Sequence, residues 1–81
     1  MNSSVVEIRP KASEVSIDED ELTVLLADGR RISVPLAWFP RLLHATTVQR
    51  NNFELLGEGE GIHWPDIDED LSVAGLMRVS G

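Results

Sequence analysis

The stretch Val15-Ser16-Ile17-Asp18-Glu19-Asp20-Glu21-Leu22-Thr23-Val24-Leu25-Leu26-Ala27-Asp28-Gly29-Arg30-Arg31-Ile32-Ser33-Val34-Pro35 decides the fold. Val15 and Ile17 alternate with polar residues. Leu22, Val24 and Leu26 alternate with Thr23, Leu25 and Ala27, and Ile32 and Val34 alternate again after Asp28-Gly29. A period of two bounded by turn residues marks antiparallel strands. We place them near residues 13–17, 21–27 and 30–35. The same pattern sets the register. A two-residue Asp28-Gly29 loop pairs Leu25 with Ile32, which puts Leu22, Val24 and Leu26 on the face opposite Ile32 and Val34. A three-residue loop, Ala27-Asp28-Gly29, pairs Leu26 with Arg30, Val24 with Ile32 and Leu22 with Val34, and the apolar residues then share one face. Such loops commonly end in a left-handed residue, which Gly29 adopts without steric cost. A one-residue slip would turn a whole apolar set into water, so the three-residue loop is the expected one.

Outward from this meander the signals shorten. Pro35 ends the third strand, and residues 36–45 read as a helix with Pro40 in its first turn, where the missing N–H costs little. Thr46-Thr47-Val48-Gln49 fits a capping box and predicts a second helix over roughly 47–53. Glycine at every second position in Gly57-Glu58-Gly59-Glu60-Gly61 predicts a loop. Ile62-His63-Trp64 predicts a short strand or extended piece stopped by Pro65. Ser72 can cap a last helical turn through Met77, weakened by Gly75. Residues 1–12, with Val5, Val6 and Ile8, read as an N-terminal arm or edge strand, and residues 13–81 as a single domain. The expected class is α+β: a small antiparallel sheet, a three-stranded meander or larger, with two or three short helices packed on one face.

Composition narrows the function. A chain of 81 residues makes one domain. A domain that short buries only roughly 60–65% of its unfolded surface, so its core is thin. Fourteen acids against seven bases give a formal charge of −7. That field repels phosphate backbones, disfavours direct nucleic-acid binding and favours a basic protein partner. The absence of cysteine removes disulfides, thiolate catalysis and the usual zinc ligands. No apolar run approaches the ~20 residues of a membrane span, and the N-terminus lacks a signal peptide's basic start and apolar core. Cytoplasm is the expected location.

The residues that could carry chemistry lie mostly between 57 and 72. The glycine loop holds glutamates, which repel phosphate, and lacks a P-loop lysine. Asp66, Asp68 and Asp70 take positions one, three and five of a calcium loop, but Leu71 and Met77 stand where glycine and glutamate are required. His63 and Asp66 form a candidate dyad with no cysteine or second histidine beside them. Residues 58–70 hold six acids and no lysine or arginine, yet also Ile62, Trp64 and Ile67, which need burial. Acids around an aromatic anchor suit a protein interface. Arg41 and Arg50 carry the opposite sign and could pair with the acidic block.

Read together, Asp28-Gly29-Arg30, residues 34–42 (Val34-Pro35-Leu36-Ala37-Trp38-Phe39-Pro40-Arg41-Leu42), Ala45-Thr46, Gln49-Arg50-Asn51-Asn52 and residues 61–72 (Gly61-Ile62-His63-Trp64-Pro65-Asp66-Ile67-Asp68-Glu69-Asp70-Leu71-Ser72) resemble the bacterial family named domain of unknown function 2442, over about residues 13–77. The family has no established enzymatic activity. The resemblance implies a neighbour encoded alongside, domain of unknown function 4160, and an antitoxin-like role in a toxin–antitoxin pair. Some relatives carry an added helix-turn-helix domain, for which this chain has no room, so autonomous DNA binding is not expected.

The expected function is therefore a non-catalytic binding module, without cofactor or metal, that pairs with a small basic protein. Its candidate contact or signature residues are Trp38, Arg41, Arg50, His63, Trp64, Asp66, Asp68, Glu69 and Asp70. One alternative is a metal-binding protein or enzyme using His63, Asp66, Asp68 and Asp70. Another is self-association into a homodimer through an open sheet edge.

Overall fold

Residues 10–80 are described by the computed structural model, and the expected arm or edge strand at Val5, Val6 and Ile8 lies outside them. The alternating stretch forms β1 (Ala12–Ile17), β2 (Glu21–Leu26) and β3 (Arg31–Pro35), an antiparallel meander in that order. Leu22 lies opposite Val34 and Val24 opposite Ile32, the register of the three-residue loop. All four are buried. The Leu26 N–H donates to the Arg30 carbonyl at 2.7 Å, and the Gly29 N–H to the Leu26 carbonyl at 2.9 Å. Gly29 has φ 94°, the left-handed backbone its place in the loop requires. The β1–β2 turn is held by Asp18, whose carboxylate accepts from the N–H groups of Asp20 and Glu21, both at 2.8 Å.

The helix expected over residues 36–45 is instead two short pieces: a 3-10 turn at Leu36–Trp38 and α1 (Pro40–Leu43). Pro40 explains the break. Its ring disfavours helical backbone at the preceding residue, and Phe39 sits at φ −129°, ψ 84°. The capping box forms as expected at the start of α2 (Thr47–Asn51), with the Gln49 N–H donating to Thr46 Oγ1 at 3.1 Å and the Thr46 N–H to Gln49 Oε1 at 2.9 Å. The helix stops two residues short of 53 because the chain leaves at Asn52 to enter a strand.

That strand belongs to a second sheet, the main departure from the expected single meander. β4 (Glu54–Leu56), β5 (Gly61–Trp64) and β6 (Glu69–Ser72) are antiparallel in that order. The acidic segment 66–70 is a turn only at its start; Glu69 onward is β6. Asp68 at φ 51° reverses the chain there, and Asp is among the few side chains that tolerate this conformation. The glycine loop is the β4–β5 connection, with Gly57, Glu58 and Gly59 all at positive φ. Gly59 also fits where no side chain would: a Cβ built on it would collide with the Ala12 carbonyl oxygen of β1. Ser72 caps α3 (Val73–Ser80) by accepting from the Gly75 N–H at 3.1 Å. That helix runs three residues past the expected end.

The α+β class therefore holds, with two three-stranded sheets rather than one. One cluster of buried residues joins them, taking Leu22, Val24 and Val34 from the first sheet, Ile62 and Trp64 from the second, and Leu42, Val73 and Leu76 from the helices.

Candidate functional site

The second sheet gathers most of the residues singled out in the sequence and sorts them by face. Ile62 and Trp64 of β5 are completely buried. Side chains alternate along a strand, so Gly61 and His63 point to the outer face. Directly opposed residues share a face. Glu54 and Asp70 flank His63, while Leu56 and Ser72 flank Gly61. The outer face thus carries a Glu54–His63–Asp70 rung beside a Leu56–Gly61–Ser72 rung.

His63 Nδ1 lies 2.6 Å from Asp70 Oδ1. A carboxylate only accepts, so Nδ1 carries the proton. The histidine side chain is 24% exposed and the aspartate 68%. Ser72 supplies a hydroxyl to this face, and its oxygen accepts from the Gly75 N–H. The lack of a side chain at Gly61 leaves an open hollow lined by Leu56, Asp70, Leu71 and Ser72.

The inner side explains the signature block. Trp64 is core: its Nε1 donates to the Arg50 carbonyl at 3.0 Å, and its ring lies 6.1 Å from that of Phe53. The ring is buried as its place in the sequence requires, and it supports the sheet from within. Arg50 does not pair with the acids. It caps the end of α1, donating from Nε to the Leu42 carbonyl at 2.9 Å and from a terminal nitrogen to the Leu43 carbonyl at 2.8 Å; the Leu42 carbonyl also accepts from the Ala45 N–H at 3.2 Å. The Arg41 guanidinium reaches the block by donating to the backbone carbonyl of Asp68. Asn52, to which the sequence reading assigned no role, donates to the Asp66 carboxylate at 2.9 Å. Glu69, half-buried opposite Trp64, accepts from the Asp70 N–H at 3.1 Å. Trp38 stands on the 3-10 turn with 51% of its surface exposed.

These contacts disperse the proposed metal set. Asp66 turns to Asn52, Asp68 is held by its carbonyl, and Asp70 turns to His63. Among the described residues no three of His, Asp and Glu are placed to hold a metal ion together. The alternative built on His63, Asp66, Asp68 and Asp70 as one cluster is therefore not supported.

Charge divides the chain sharply. Residues 51–77 contain seven acids and no lysine or arginine, and the other seven acids are matched by all seven bases, so the net charge of −7 equals that of the segment forming the second sheet and its flanks. Lys11, from outside that segment, comes within 3.3 Å of Glu58. Sequence reading found the run 58–70 but missed Glu54, Leu56, Gly61 and Ser72 as members of one face. The only local clue was the alternation in Gly61-Ile62-His63-Trp64. Among the described residues no helix is long and apolar enough to cross a membrane.

A comparison with curated proteins finds no match. Among solved structures the chain is similar to the crystal structure of a protein of unknown function from Rhodospirillum rubrum ATCC 11170. The two are 32% identical with a TM-score of 0.77, over 91% of this chain and 93% of that one. The family described as "Protein of unknown function (DUF2442)" matches residues 12–80, nearly the whole chain, and the protein belongs to that family.

Proposed function

We propose that this protein is a non-catalytic binding module whose second sheet receives a small basic protein, in the manner of an antitoxin neutralising its partner. The observation that carries this reading is the placement of the entire net charge on residues 51–77. A predominantly acidic surface, reached only at its margins by Lys11 at Glu58 and Arg41 at Asp68, steers an oppositely charged partner and rejects like-charged ones. Glu54, Glu58, Asp66, Asp68 and Asp70 are all exposed there. The first sheet supplies the rigid support, because its apolar face is consumed by the core. The test is co-expression with the product of the adjacent reading frame and co-purification at low salt. The expected result is a complex that weakens steeply as salt is raised. Failure to associate at low salt would contradict the reading.

A further inference from the structure

Resting on that reading, we propose that the partner contributes an extended basic segment that crosses the outer face of the second sheet and seats one apolar side chain in the hollow over Gly61. The hollow exists because the middle strand lacks a side chain between Leu56 and Ser72, which lie directly opposite Gly61 on either side. Leu56 forms an apolar wall with 44% of its surface exposed. Acids flank the hollow along β5 on one side, where the rung of Glu54 and Asp70 lies. On the other side the 57–60 turn carries Glu58, which pairs with this chain's own Lys11 at 3.3 Å. The fitting pattern is therefore a cation toward Glu54 and Asp70 beside an apolar residue on the same side of an extended chain. A second copy of this protein is a poor occupant, since it would bring the same −7 against the same face. A phosphate backbone is repelled for the same reason.

Gly61→Ala gives a clean test. The added Cβ would meet Leu56 Cβ and the Leu71 carbonyl oxygen at 3.7 Å each, ordinary contact distances, so the fold is kept while the hollow is filled. Leu56→Ser removes the wall at an exposed position and serves as the second variant. The probes are two fluorescent ten-residue peptides, alternating Arg-Leu and alternating Arg-Ser, followed by anisotropy at low salt and by backbone amide NMR. The Arg-Leu peptide is expected to bind about tenfold tighter, as burial of one apolar side chain implies. It should move the amides of Leu56, Gly61 and Asp70. Both variants should reduce its affinity to that of Arg-Ser. If the two peptides bind alike and Gly61→Ala changes nothing, the hollow is not used, while the acidic-face reading stands. Binding of neither peptide overturns both. Amide shifts centred on the first sheet, or light scattering that shows a dimer broken by Leu56→Ser, would also overturn the proposal.

Discussion

The two sheets of this protein have equal strand numbers and opposite construction. Strands β1, β2 and β3 run 6, 6 and 5 residues, and their apolar side chains alternate into the core. Strands β4, β5 and β6 run 3, 4 and 4 residues, and only Ile62 and Trp64 of β5 are fully buried. The first sheet is held by burial along its length. The second is held by the Trp64 core contact, by Gly59 lying against β1, and by side chains reaching in from outside it: Arg41 to Asp68 and Asn52 to Asp66. Short strands pinned in this way leave their outer face free of packing duties. That face, with the turns beside it, is where the net charge collects.

If one buried ring anchors the second sheet, its removal should be the most damaging change. Trp64→Ala should cost about 3–5 kcal/mol. A chain of this size has roughly 4–12 kcal/mol in total, so urea unfolding followed by circular dichroism should show a largely lost transition. A variant that unfolds as cooperatively as the parent would remove the anchor from this account.

The joint between the sheets gives the next effect. Gly59 and Gly29 both have positive φ, but only Gly59 faces a clash, with nothing within 4 Å of a Cβ at Gly29. Gly59→Ala should cost about 2–3 kcal/mol, combining backbone strain with displacement of β1. Gly29→Ala should cost only about 1 kcal/mol, the strain alone. Equal losses would mean that the two sheets are not pressed together at Ala12. Arg50→Met removes two hydrogen bonds to the end of α1 and should cost about 1–2 kcal/mol, read as a lower urea midpoint.

The smallest effect belongs to the first sheet's turns. Backbone N–H groups of Glu21 and Asp20 hold the Asp18 carboxyl below its ordinary 3.8, and that of Arg30 does the same for Asp28. A lowered folded value stabilises the folded state above the unfolded pKa, and that contribution is lost as pH falls through the folded value. Acid titration of stability should therefore decline below about pH 4, and Asp18→Asn with Asp28→Asn should flatten that decline. An unchanged acid limb in the double variant would contradict the assignment.

The same contrast explains what could be read in advance. The β2–β3 register was legible because alternation over five or six residues admits one pairing that keeps Leu22, Val24, Ile32 and Val34 together. The capping box at Thr46 was legible because it is local. The break at Phe39 was not legible, because Pro40 fits the first turn of a helix as well as it ends the piece before it. β4 and β6 were not legible. Three or four residues carry too little periodicity, and the turn that joins β5 to β6 is tied down by Arg41 and Asn52, from outside the sheet. The acidic run was visible, but its division into inward ties and an outward face required the register of β5.

The claim that the second sheet, and not the first, receives a basic partner can be measured by titration calorimetry at low salt with the co-expressed neighbouring gene product. The variants are matched in charge: Glu54→Gln with Asp70→Asn in the second sheet, and Glu14→Gln with Glu21→Gln, also exposed, in the first. The second-sheet pair should weaken binding by about tenfold or more, while the first-sheet pair leaves Kd nearly unchanged. Equal weakening by both pairs would show that only total charge matters, and would contradict the account.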